Sequence, residues 1–145
     1  MNMQTAVTMA PIGVFHTDAR EIPRHWSLSQ VEGTIQIDQD LVEGLADIRP
    51  GQKIVVIFWF HKSPAFSVQY LRQTPPYRQE RMGVFSICSP RRPNPIGLSV
   101  LTVMDIQGGT IRVMGIDMLD GTPILDIKPL IVEEKDCPGC PDQAS

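Results

Sequence analysis

The 145-residue chain has no apolar run of about 18 residues, so no segment reads as a membrane-spanning helix. Its longest apolar block, residues 54–60, is strand-sized and lies between Lys53 and His61. The N-terminus has no basic segment followed by an apolar one, so no secretory leader is expected and the chain reads as cytoplasmic. Three cysteines, Cys88, Cys137 and Cys140, cannot form a disulfide framework, and an odd count fits a reducing compartment. With His16, His25 and His61 the only histidines, a His-rich metal site is not expected. No GxGxxG follows a strand, so a Rossmann-type cofactor site has no support.

Turn formers, by contrast, are plentiful. Thirteen prolines and eleven glycines punctuate short apolar runs, which favours strands and turns over a helix bundle. Residues 11–15 read as an opening strand. Residues 31–37 alternate, with Val31, Gly33, Ile35 and Ile37 on one face. Leu41, Leu45 and Ile48 have helical spacing, and Asp40 is placed to cap that helix before Pro50-Gly51 ends it. Residues 54–60 lack alternation and read as a strand buried on both faces. Residues 61–81 read as a long loop, and 82–87 as a further strand. Residues 99–106 and 110–116 flank a Gln107-Gly-Gly109 hairpin turn, and Asp120-Gly-Thr-Pro123 is a turn before a last strand over 124–132. The expected fold is mainly β: a small antiparallel barrel with one or two short helices, over residues 1–132. An acidic tail over 133–145 follows, carrying Cys137 and Cys140 at zinc-knuckle spacing but with only two ligands.

Two segments concentrate chemistry. In residues 88–99, Pro90, Pro93 and Pro95 fix their own φ and restrict their predecessors, while Gly97 permits close backbone approach. Arg91, Arg92 and Asn94 would thus sit on a rigid polar surface, or on a stiff structural crossover. In residues 117–129, Asp117, Asp120 and Asp126 suit a metal, a base or a hydrogen-bond acceptor for a nucleoside, although Asp120-Gly121 is equally a turn. Charge is also uneven. Arg72, Arg78, Arg81, Arg91 and Arg92 share their stretch with one acid, Glu80, in a chain of net charge −3. Such a patch suits a polyanion or a solvated loop.

These segments resemble the TsaA/TrmO family. The likeness rests on Arg81-Met-Gly-Val-Phe85, on Ser89-Pro-Arg-Arg-Pro-Asn-Pro-Ile-Gly-Leu-Ser99, and on Asp120-Gly-Thr-Pro123 with Asp126-Ile-Lys-Pro129. It implies a β-barrel that binds S-adenosylmethionine (SAM) near a homodimer interface and methylates N6-threonylcarbamoyladenosine beside the anticodon of tRNA. It implies cofactor contacts at Pro23, Arg24, His25, His61, Lys62, Cys88, Leu98, Asp117, Met118, Leu119 and Asp120. His25, Lys62 and Cys88 depart from the family's Gln, Gln and Arg. Asp117 and Asp120 are the candidate proton acceptors, and Arg72, Arg78, Arg81, Arg91, Arg92 and Asn94 the candidate substrate contacts. A SAM-binding regulatory module, or a methyltransferase for a small molecule or protein, remains open on these residues.

Overall fold

A computed structural model describes residues 5–133. The Cys137 and Cys140 pair, and the expected tail beyond Glu133, lie outside the described residues. The strands are β1 (Gly13–His16), β2 (Glu32–Ile37), β3 (Lys53–Trp59), β4 (Arg72–Gln73), β5 (Met82–Gly83), β6 (Ile96–Gln107), β7 (Thr110–Met114) and β8 (Pro123–Pro129). Six of them close into a barrel in the order β1-β2-β7-β6-β3-β8, with every neighbouring pair antiparallel. β4 and β5 form a separate two-stranded ribbon. No helix among the described residues is long and apolar enough to cross a membrane.

The period of two along each strand builds the core. Gly33, Ile35 and Ile37 of β2 point inward as expected, with Val31 half-buried before them. Phe15 of β1, Ile54, Val56 and Phe58 of β3, Leu101 and Val103 of β6, Ile111 and Val113 of β7, and Ile124 of β8 join them in the interior, with Leu45, Ile116 and Met118 from the connections. β6 is long enough to need a correction of its parity. A register shift between Val103 and Asp105 lets Val103 pair with Val113 and Ile106 with Ile111, so both side chains meet the core. An added residue in one strand has this effect.

Three expectations are corrected. β3 is not buried on both faces: Val55 and Ile57 are half-buried and Trp59 is 45% exposed, because only the barrel interior covers the strand. The helix expected over 40–48 is a 3-10 segment, Gln39–Leu45, in which Asp40 lies inside the first turn and caps nothing. It buries only Leu45, too little to support a longer α-helix against its nucleation cost. The strand expected over 82–87 stops at Gly83, where a 3-10 turn (Val84–Ser86) directs Val84 into a buried site.

Gly97 shows how tightly β6 and β3 are fitted. A Cβ there would overlap the ring of Phe58, which is 2% exposed and packed in the core. Gly97→Ala is expected to destabilise the barrel by about 1–3 kcal/mol, as overpacking does, and to lower the urea midpoint without changing the slope. An unchanged midpoint would show that β6 can slide away from Phe58.

Candidate functional site

In an antiparallel barrel, alternate connections fall at the same end. Here that end collects the β1–β2 loop (17–31), the long β3–β6 excursion (60–95) and the β7–β8 loop (115–122). The candidate residues lie in these three connections, apart from Leu98 at the start of β6. The opposite end carries the 3-10 segment and the β6–β7 hairpin.

A cavity of about 850 Å³ opens at this end. Arg24, His25 and Trp26 line it from the first loop, Phe58 and Phe60 from β3 and its exit, and Ile96, Gly97 and Leu98 from β6. Gln73 to Pro76 and Ile87 to Pro90, together with Arg92, contribute the excursion's wall, and Asp117 is the one carboxylate in the lining. The volume lies in the range of small-molecule and cofactor sites, and apolar and aromatic walls with a few convergent polar groups are their usual make-up. A ligand with a flat heterocycle and charges of both signs fits this lining: rings from Trp26, Phe58 and Phe60, cations from Arg24 and Arg92, and one carboxylate from Asp117. The residues present therefore suit the SAM cofactor that the resemblance implies.

Asp117 is held from two sides. The Ser99 hydroxyl donates to one carboxylate oxygen, and the Trp26 backbone N–H donates to the other at 3.0 Å. Burial raises its pKa above the usual 3.8 and outweighs both hydrogen bonds and the field of His25, which lower it. Ser99 is completely buried, facing inward between Gly97 and Leu101.

Asp120, three residues on, has a different environment. It is exposed, accepts the Thr17 N–H at 3.0 Å and lies 3.5 Å from His16. The Thr17 hydrogen bond is the main cause of its lowered pKa, with His16 and Lys62 adding to it. Asp120 does not line the cavity, nor do Pro23, His61, Lys62, Leu119 or Asn94. Met118 points into the hydrophobic core at 2% exposure. Asp126 is engaged with Lys128 at 2.9 Å and with the Ile127 N–H. Among the described residues, no three His, Cys, Asp or Glu side chains gather as metal ligands.

Four arginines of the excursion, Arg72, Arg81, Arg91 and Arg92, brace it. Arg92 donates to the carbonyls of Ile87 and Ser89, both at 3.1 Å, closing the proline-rich turn on itself. Arg72 and Arg81 each donate to the other's carbonyl across the β4–β5 ribbon. The Arg91 guanidinium stacks over Tyr70, and Arg24 reaches from the first loop to the ring of Tyr77 at 4.7 Å. Cys88 is an exposed free thiol on the cavity wall.

Sequence reasoning missed Ser99, Trp26, Phe58, Phe60 and the stretch from Gln73 to Pro76 as site residues. Ser99 carried a signal: it is a hydroxyl at an inward position of an otherwise apolar alternation. The stretch from Gln73 to Pro76 carried none, because its place depends on how the excursion folds back.

A family model described as tRNA-methyltransferase O N-terminal domain matches residues 12–137. A probable S-adenosyl-L-methionine-binding protein of Pyrococcus abyssi is 35% identical over 137 residues, covering 92% of this chain and 73% of that protein. The human tRNA (adenine(37)-N6)-methyltransferase is 46% identical over 78 residues, 54% of this chain and 18% of that protein. A crystal structure of TrmO from Pseudomonas aeruginosa superposes with a TM-score of 0.68 at 31% identity, over 88% of this chain. The chain spans just over half of that structure, 57% of its length.

The raised pKa of Asp117 has a stability consequence. A carboxyl whose folded pKa exceeds its unfolded value favours the fold while protonated, and that contribution is lost as pH rises through the folded pKa. Asp117→Asn should abolish this component. The melting temperature of the native protein, measured relative to the variant, should fall as pH rises from below 3.8 through the raised value. Parallel curves would refute the assignment.

Proposed function

We propose, from the premise that this chain belongs to the tRNA-methyltransferase O N-terminal domain family, that it transfers the methyl group of SAM to the exocyclic N6 of an adenosine in tRNA. The observation that carries this reading is a cavity with aromatic walls and one partly buried carboxylate, Asp117, beside an excursion with five arginines and one acid, Glu80, in which no arginine forms an ion pair among the described residues. The names of the relatives, SAM-binding proteins and a tRNA adenine-N6 methyltransferase, support it. The finer substrate we propose is N6-threonylcarbamoyladenosine beside the anticodon.

When bound, SAM supplies an electrophilic methyl on a positively charged sulfur, so displacement needs only an aligned nucleophile. Arg24, His25, Cys88, Leu98 and Asp117 would hold the cofactor against Trp26 and Phe58. Fixing both partners in line can contribute about 7–11 kcal/mol to the barrier reduction. The acceptor nitrogen is conjugated to its ring and weakly nucleophilic. Asp117 accepts its proton, and the raised pKa makes this carboxylate a better base than one in water. Ser99 and the Trp26 N–H orient Asp117 for that role.

Pro23, His61, Lys62, Leu119 and Asp120 stand outside the cavity of one chain, and Met118 supports the loop from the core. An interfacial site in a homodimer accounts for the outer group. The outward face supports this arrangement: Val55, Ile57 and Trp59 of β3 pair with Val100, Leu98 and Ile96 of β6 to make an apolar stripe. Arg72, Arg78, Arg81 and Arg91 would contact tRNA phosphates, and Arg92 and Asn94 would fix the acceptor or the dimer seam, Arg92 from the turn it closes. We assign residues 1–132 as the cofactor-binding domain, 133–145 as an acidic appendage, and the cytoplasm as its place of action.

The test is incubation of the pure protein with radiolabelled SAM and total tRNA from a strain lacking the endogenous activity. Label in tRNA is the expected result. Calorimetric binding of SAM without any label in tRNA would favour a regulatory module instead. Four phosphate contacts predict that log affinity for tRNA falls against log salt with a slope of about −3. A flat response would remove the four arginines from the interface.

A further inference from the structure

At the tip of the β4–β5 ribbon, residues 75–78 make a tight turn closed by the Arg78 N–H donating to the Pro75 carbonyl at 3.1 Å. Pro76 occupies its second position and Tyr77, with φ of +67°, its third. That is the pattern of a type II turn, whose third position belongs to glycine or asparagine. A tyrosine Cβ there is strained against the backbone. The ring recovers nothing by burial, since Tyr77 is 94% exposed. Within the fold the ring has one exposed contact, with Arg24, to set against the strain, so an aromatic held there at a loop tip points to a task outside the fold.

The position indicates the task. Pro75 and Pro76 line the cavity, and so does Arg24, whose guanidinium meets the Tyr77 ring. The tip is therefore fixed at the cavity mouth. Arg72, Arg78 and Arg81 flank it in the ribbon, and none forms an ion pair among the described residues. A flat apolar face beside cations, two of them fixed by the ribbon, suits a flat ring on a polyanionic backbone. We propose that Tyr77 is a stacking platform for an unpaired base of the RNA substrate, the neighbour of the adenosine that enters the cavity. Stacking is tolerant of base identity, so Tyr77 positions the strand rather than reading it. The proposal rests on the tRNA reading above and adds a substrate-positioning residue to it.

The experiment is fluorescence anisotropy with a labelled anticodon stem–loop RNA, and with versions carrying an abasic nucleotide 5′ or 3′ of the target adenosine. Native protein, Tyr77→Gly and Tyr77→Phe are compared, each with a thermal melt. Tyr77→Gly should weaken binding of the intact RNA about tenfold or more, and Tyr77→Phe much less. One abasic RNA should lose affinity for native protein yet lose little more in Tyr77→Gly. The melting temperature of Tyr77→Gly should equal or exceed that of native protein. Unchanged RNA affinity, undiminished loss with both abasic RNAs, or a lower melting temperature would overturn the stacking role. If native protein binds no RNA, the tRNA reading falls with it. If native protein binds and Tyr77→Gly binds equally, only the Tyr77 inference falls.

Discussion

The seam between β1 and β8 is the contact on which the remaining structure depends. It is short, with Gly13 opposite Ile124 and Val14 opposite Pro123. The Ile12 N–H reaches the Ile124 carbonyl at 2.7 Å, the Phe15 N–H the Thr122 carbonyl at 2.9 Å, and the Gly121 N–H the Phe15 carbonyl at 2.8 Å. Asp120 extends the seam by one more bond, to the Thr17 N–H. Gly121 makes the corner at φ of +82°, which L side chains rarely adopt. The Asp-Gly-Thr-Pro segment is thus the closure of the barrel. Without it β1 and β8 would present bare edges, and the three connections at the cavity end would have no fixed spacing.

Closure also sets the electrostatics of Asp117. Its two hydrogen-bond donors come from different parts of the ring: Ser99 from β6, and the Trp26 N–H from the β1–β2 loop. A carboxylate brought out of water needs such donors, because burial without them costs far more than the bonds return. Here burial still wins, and the group remains more basic than an exposed aspartate. Asp120 lies three residues away and shifts the opposite way, because it stays exposed and accepts the Thr17 N–H, with His16 and Lys62 adding to the effect. One loop thereby separates a group suited to proton acceptance from one suited to holding a seam.

Much of this was legible in the sequence where a local rule governs. Period two marked Gly33, Ile35 and Ile37, and Gln107-Gly-Gly109 marked the hairpin, because side-chain alternation and turn geometry are short-range. The both-faces reading of residues 54–60 failed because a run of Val, Ile, Phe and Trp is apolar on both sides, and only the barrel decides which side is interior. The same composition left an apolar outer stripe on β3 and β6. The strand expected at 82–87 failed because Val84 is drawn to a buried position that no neighbour in sequence announces. The motif residues with proline and aspartate were legible as special, but their separation into cavity wall and seam required the closed ring.

The excursion between β3 and β6 shows why its positive charge and its rigidity are a single property. It buries few apolar side chains, so hydrogen bonds from side chains to its backbone carbonyls hold its shape. Arg92, Arg72 and Arg81 supply them, at Ile87, Ser89, Arg81 and Arg72, while Gln73 ties the Tyr70 and Arg91 carbonyls together. A guanidinium carries five N–H donors, so a side chain that spends one or two on the loop keeps others and its full charge. Carboxylates would have braced the arginines as well, but would have cancelled the field. Backbone carbonyls hold them in place and leave it intact. Arg72, Arg81 and Arg92 are thus ordered by the fold itself, which would lower the entropy cost of binding a polyanion.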